Sequence, residues 1–218
     1  MSGTGPPPAI AVVDYGFGNL RSVAKALARS GLAPEITGDP AAIRRADGVV
    51  LPGVGAFADA AACLSAKGLD DAVKASIDAG RPYLGLCLGL QLLFDEGREH
   101  GVTRGFGLLR GSVERFPSVD AGGAPLRVPH IGWNTVRFSG THPMLAHLPR
   151  EARYYFVHSY RAVATDAAVV VGRTDYGGDF AAAVATERMF AVQFHPEKSQ
   201  AAGKRLLDAY AAWVASCR

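Results

Sequence analysis

The hydrophobic pattern changes character halfway along the chain. Ala9–Tyr15, Gly48–Leu51 and Pro82–Leu86 are short, nearly continuous apolar runs rich in Val, Ile and Leu. Runs of that kind fit strands buried on both faces of a parallel sheet. Between the first two, Asn19–Ser30 places Leu20, Val23, Ala24 and Leu27 at helical spacing and ends at Gly31, a residue suited to a helix C-terminus. Ala56–Ala79 reads as helix interrupted at Gly68, and Leu88–Glu96 as the helix after the third run. Pro52 is expected to stop the second strand. This β-α alternation predicts a doubly wound α/β sheet.

The second half instead carries closely spaced strand-like runs. They are Val113–Phe116, Thr135–Phe138, Tyr154–Ala164, Val169–Thr174, Ala181–Thr186 and Met189–Phe194. Glu187–Arg188 would be a two-residue hairpin turn, although it lacks the usual Gly or Asn. Antiparallel strands are therefore expected to extend the sheet. Gln200–Ser216 closes the chain as an amphipathic helix, with Leu206, Leu207, Tyr210, Trp213 and Val214 on one face. Without repeats or linkers, residues 9–218 read as one domain behind a loose Pro-rich tail, Met1–Pro8.

Composition narrows the function classes. Hydrophobic residues make up 49% of the 218 and charged residues 20%, ordinary globular usage that excludes a disordered, collagen-like or coiled-coil chain. A net charge of +3 gives no field for nucleic acid or anionic lipid. The longest apolar stretch, Tyr83–Phe94, is too short for a bilayer, which needs about 20 residues. No basic segment precedes the first apolar run, so a secretory signal is not expected and the cytoplasm is. Three cysteines, Cys63, Cys87 and Cys217, are too scattered for a disulfide framework or a zinc site. Cys63 and Cys217 are expected to be small buried hydrophobes. Gly16-Phe17-Gly18-Asn19 lacks the third glycine of a dinucleotide fingerprint, and no phosphate loop is present. No cofactor or metal is expected.

The sharpest local signal is Gly85-Leu86-Cys87-Leu88-Gly89-Leu90-Gln91. It joins an expected strand to an expected helix, like a G-x-S-x-G elbow with cysteine as nucleophile. The glycines would make room around a strained turn, and a helix N-terminus favours a thiolate. The alternative is a buried cysteine in a Gly-rich junction. A thiol nucleophile needs a base, and the base an orienter. In Phe194-His195-Pro196-Glu197 the carboxylate lies two residues past the imidazole, on the same side of an extended backbone. His158 is the competing base, while His100, His130, His142 and His147 sit in loop-like contexts without such a carboxylate. Leu51–Phe57 carries Gly53 and Gly55 after a strand and would aim backbone N–H groups at a ligand, or be a plain β-α turn.

PGVGAF at Pro52–Phe57, GLCLGLQ at Gly85–Gln91 and FHPEKS at Phe194–Ser199, in that order, resemble the class I (triad) glutamine amidotransferases. VVDYGFGNLRSV at Val12–Val23, HIGWNTV at His130–Val136, YFVHSY at Tyr155–Tyr160 and Lys198 are similar to the glutaminase subunits of imidazole glycerol phosphate synthases. Related glutaminases usually carry His where this chain has Leu90, and Ser where it has Lys198. The resemblance implies a flavodoxin-like α/β domain with a parallel-dominated central sheet and added antiparallel strands. It implies Cys87 as nucleophile, His195 as base and Glu197 as its orienter. It implies an oxyanion hole from the backbone N–H groups of Val54 and Leu88, and glutamine held by Gly53, Gly55, Gln91, Ser159 and Tyr160. It also implies that ammonia passes to a separate cyclase subunit, a (β/α)8 barrel, in a heterodimer of histidine biosynthesis. Docking would switch the glutaminase on by flipping the Pro52–Gly55 loop. Phe17, Asn19, Trp133 and Asn134 are expected near the docking face. The plainer reading gives loop capping to the asparagines and core packing to Trp133.

Overall fold

The structure is a computed structural model and describes residues 5–218; Met1–Thr4 of the expected tail lie outside it. Gly5–Pro8 runs along the surface, where Ala33 N–H donates to the Pro8 carbonyl and Arg218 to that of Pro6.

Five strands form a parallel block in the order β2-β1-β3-β4-β13. They are β1 (Ala9–Val13), β2 (Ala33–Thr37), β3 (Gly48–Gly53), β4 (Tyr83–Cys87) and β13 (Met189–Val192). Strand alternation divides their side chains between two cores. Ile10, Val12, Val50, Leu84 and Leu86 face α1 (Leu20–Arg29) and α6 (Gln200–Ser216). Ala11, Val13, Val49, Leu51 and Tyr83 face α2 (Pro40–Arg45), α3 (Phe57–Ala66) and α4 (Leu69–Asp78). Helices on both faces explain why β1, β3 and β4 read as continuous apolar runs.

The remaining strands are β5 (Phe94–Gly97), β6 (Thr103–Arg104), β7 (Leu109–Arg115), β8 (His130–Phe138), β9 (Glu151–His158), β10 (Tyr160–Ala164), β11 (Val170–Asp175) and β12 (Asp179–Thr186). Past β13 the sheet continues through β12, β10, β7, β5 and β6, and β12 also leads through β11 and β8 to β9. The β12–β13 hairpin turns at Glu187–Arg188, with Thr186 opposite Met189.

Several local expectations need correction. Strand β2 and helix α2 were not anticipated. Strand β2 is an exposed edge strand containing Pro34 and has no apolar alternation to reveal it. Helix α2 did carry a signal: Asp39 caps Ala41 and Ala42 N–H, and Pro40 follows it. Pro52 does not stop β3, because β1 pairs only as far as Val50 and the donor missing at Pro52 faces no partner there. The helix after Cys87, α5, covers only Leu88–Gln91, and Phe94 then enters β5. A short, fully apolar run such as Leu92-Leu93-Phe94 fits either state. The Tyr154–Ala164 run is two strands. It breaks at Ser159, where the chain leaves β8 and joins β7. Neither of the other cysteines is fully buried as expected: Cys63 is half-buried, and Cys217, just past the end of α6, is exposed.

Tyr210 on α6 reaches across the sheet ends. Its buried hydroxyl lies 3.2 Å from the Val49 carbonyl and 3.1 Å from that of Pro82. Tyr210→Phe is expected to cost about 1–2 kcal/mol of stability in urea denaturation with an unchanged m value.

Candidate active site

The site begins with the packing at the end of β4. Cys87 has φ 53° and ψ −103°, a backbone conformation that costs a non-glycine residue on the order of 1–3 kcal/mol. Its neighbours leave no alternative. A Cβ on Gly85 would lie 2.6 Å from the Gly89 carbonyl oxygen, and one on Gly89 would overlap the Leu51 carbonyl. The elbow therefore forms only with glycine at both flanks. Cys87 is 6% exposed, at the first turn of α5.

Strand β13 lies beside β4 in parallel register, Val192 opposite Leu86. The residues just past its end consequently arrive next to Cys87. Gln193 donates to Cys87 Sγ at 3.4 Å. His195 Nδ1 lies 2.9 Å from Glu197 Oε1, with both side chains almost fully buried. This contact crosses a single 3-10 turn, Pro196–Lys198, instead of extended backbone as the spacing suggested. Ser199 Oγ donates to the His195 carbonyl and accepts Tyr155 N–H, which fixes the turn to β9.

Burial opposes a charge on His195, but the neighbouring Cys87 sulfur and Glu197 carboxylate outweigh it and push the imidazole up to about 10. His195 Nε2 has no well-formed hydrogen bond, the loose contact common in unliganded enzymes. His158, the competing base, has no nitrogen to offer Cys87. Its Nδ1 donates to the Tyr160 carbonyl at 2.8 Å and its Nε2 meets His130 Nδ1 at 3.0 Å. His130 is not in a loop but opens β8, buried opposite His158.

A cavity of about 250 Å³ opens over Cys87. Val54, Gly55, Leu88, Gln91, Ser159 and Tyr160 line it with the cysteine, and so do Glu99, Pro129, Val157 and His158. Gly53 does not reach it. It lines a small adjoining cleft with Asn19, His195 and Glu197, and a Cβ there would overlap the Tyr15 hydroxyl. Two site residues were not anticipated, Gln193 and Glu99. Gln193 lies two residues before His195, on the run already singled out. Glu99 is a carboxylate facing the cavity, and its Oε2 accepts Phe57 N–H at 2.9 Å; no local motif marks it.

The four residues expected at a docking face are dispersed in environment. Trp133 is 39% exposed and edge-on to Tyr155, beside Ile131 at 60%, so it is not a core residue. Asn19 is exposed and its side chain caps nothing. Phe17 is half-buried against Tyr15. Asn134 turns its amide inward, donating to the Asp175 carbonyl at 2.9 Å.

The family model for glutamine amidotransferase class-I matches residues 11–210. Imidazole glycerol phosphate synthase subunit HisH of Methylococcus capsulatus is 51% identical over 209 residues, covering 94% of this chain and 96% of that protein. The HisH subunit of Geobacillus thermodenitrificans is 48% identical over 201 residues, 92% of this chain and 94% of that one. The chain belongs to the class I glutamine amidotransferases, within the HisH family. A solved structure of PurLQS from Thermotoga maritima shares the amidotransferase fold at a TM-score of 0.75 and 19% identity, covering 95% of this chain and 99% of that one. Among the described residues no helix of this amidotransferase is long and apolar enough to cross a membrane.

The strain at Cys87 has a measurable sign. At an ordinary strand end glycine is less stable than alanine by about 0.5–1 kcal/mol. At this elbow the order is expected to reverse, with Cys87→Gly at least as stable as Cys87→Ala in thermal denaturation.

Proposed function

We propose that this amidotransferase is the glutaminase subunit of an imidazole glycerol phosphate synthase, with Cys87, His195 and Glu197 as its catalytic triad. The observation that carries the triad is the His195–Glu197 contact at 2.9 Å, beside a cysteine on a strained elbow beneath a cavity, and the similarity to HisH subunits supports the choice of synthase. Cys87 sulfur attacks the side-chain carbonyl carbon of glutamine, and its proton resides on His195. The tetrahedral oxyanion is met by the N–H of Leu88, a first-turn helical amide with no acceptor inside its helix. The N–H of Val54 joins it once the Pro52–Gly55 loop is turned. The C–N bond breaks, His195 gives its proton to the departing nitrogen, and ammonia leaves a γ-glutamyl thioester. Water, deprotonated by His195, then cleaves the thioester to glutamate and restores the thiol. Glu197 holds the imidazole in one orientation and supports its charge throughout.

Glutamine recognition falls to the cavity wall. Gln91 supplies a side-chain amide, while Gly55, Ser159 and Tyr160 contribute main-chain groups and Gly53 shapes the loop behind them. Glu99, a carboxylate facing the cavity, is placed to receive the α-ammonium group. Residues 9–218 act as a single domain, and the chemistry calls for no cofactor or metal. Ammonia released into water would be protonated and lost, so a dry path to an acceptor is required. The acceptor in this reading is the cyclase subunit, a (β/α)8 barrel bound as a heterodimer in the cytoplasm. The exposed Trp133, with Phe17, Asn19 and Asn134, forms part of the docking face.

Cys87→Ala is expected to abolish glutamine-dependent synthesis by the complex and to leave ammonia-dependent synthesis intact. Loss of both activities would assign Cys87 to the fold or the interface. Isolated chain should show weak glutaminase activity that rises steeply with the cyclase and its nucleotide ligand, measured as glutamate release. Full activity without the partner contradicts the coupled reading.

A further inference from the structure

Two buried histidines, His130 and His158, have no part in the triad, yet their hydrogen bonds lead to it. Six hydrogen bonds connect Asn134 on β8 to the sulfur of Cys87. Their polarity follows from the groups involved. The Tyr160 carbonyl can only accept, so His158 Nδ1 carries the hydrogen of that 2.8 Å bond. A neutral His158 must then accept at Nε2, which makes His130 Nδ1 the donor across 3.0 Å. A neutral His130 in turn accepts at Nε2, from Asn134 Nδ2 at 3.3 Å. The second amide hydrogen of Asn134 goes to the Asp175 carbonyl, which fixes the orientation of that amide. Burial lowers His130 to about 4. Burial, with lesser contributions from the neighbouring imidazoles, lowers His158 to about 3 against the Tyr160 hydrogen bond, so both rings are neutral at neutral pH.

From the other side the Tyr160 carbonyl accepts Gln91 Nε2 at 3.1 Å. The same Gln91 nitrogen donates to Gln193 Oε1 at 3.0 Å, and Gln193 Nε2 donates to Cys87 Sγ at 3.4 Å. Donors converge on the Tyr160 oxygen from both directions, and that oxygen has no proton to pass on. The connection therefore cannot carry protons, and its effect is positional. It sets the carbonyl that aims the Gln91 amide, and through Gln193 it sets the sulfur. Aromatic packing keeps the pair in place. His130 is stacked between Phe156 at 4.7 Å and Tyr176 at 4.0 Å.

We propose that His130 and His158 are positioning residues for the glutamine site, two neutral imidazoles held in single tautomers that orient the Tyr160 carbonyl, Gln91 and Gln193. This rests on the reading of Cys87 as the nucleophile. The residues are not catalytic, since neither bonds to the reacting sulfur.

The test compares two alkylating agents on the full chain, a chloroketone shaped like glutamine and iodoacetamide. The first requires recognition by Gln91 and Tyr160, whereas the second requires only an accessible sulfur. The readout is the ratio of their rates at Cys87, identified by peptide mapping. His158→Phe removes both polar nitrogens and is expected to lower that ratio at least fivefold. His158→Asn, whose amide can replace the Nδ1 donor to Tyr160, should return it to within twofold of the wild type. His130→Phe keeps the stacking but removes the donor, and is expected to lower the ratio in the same direction; it decides the matter if His158→Phe does not fold. A smaller change in the ratio, or an equal loss with both agents, overturns the proposal. Failure of the underlying reading looks different: glutaminase activity would survive Cys87→Ala.

Discussion

The site depends on one buried contact, the His195 imidazole against the Glu197 carboxylate at 2.9 Å. A cation shut away from water is costly unless paired and hydrogen-bonded, and breaking a buried pair by removing one member typically costs about 3–5 kcal/mol. Here the carboxylate comes from the same short turn, two residues on. Pro196 between the partners limits the loss of chain freedom on forming the turn. The remaining face of the imidazole lies toward Cys87, whose sulfur completes the environment that favours charge on the ring.

The fold delivers this contact to Cys87 through strand order. Cys87 stands at the end of β4 and His195 more than a hundred residues later, but β13 is inserted beside β4 and ends level with it. The hairpin at Glu187–Arg188 makes that insertion possible, since it turns antiparallel β12 into a parallel neighbour of β4. Ligand-binding residues at the carboxyl ends of adjacent parallel strands are the usual outcome in open α/β sheets. Close packing makes the arrangement intolerant. Gly53, Gly85 and Gly89 all face atoms that a Cβ would strike, so strand ends, elbow and loop meet at backbone distance.

The local geometry around Cys87 and His195 was more legible in the sequence than the element boundaries were. Gly85, Cys87 and Gly89 are adjacent in sequence, and the geometry they impose is local, so a short motif contains it. His195 and Glu197 are legible for the same reason, although their contact uses a turn instead of a strand. Glu99 and Gln193 were missed because what brings them to Cys87 is strand order and loop packing. His130 and His158 face each other only through the β8–β9 register, which sequence spacing does not reveal. Among the elements, α6 was readable to its ends because its apolar face is long and periodic. The edge strand β2 and the short α5 were not. The first is polar and unpartnered on one side, and the second is too short for a period to register.

The central claim is that His195 is held charged by its two neighbours, and nuclear magnetic resonance of its ring nitrogens tests this directly. An exposed imidazole titrates near 6.5; the folded-state value here is raised to about 10. The contribution of this group to stability is therefore complete below about pH 6.5 and fades as pH rises toward 10. The account predicts that His195 remains protonated through neutral pH and that Glu197→Gln brings its titration down toward the ordinary range. A His195 that titrates at or below 6.5, and does so equally with Glu197 replaced, contradicts it.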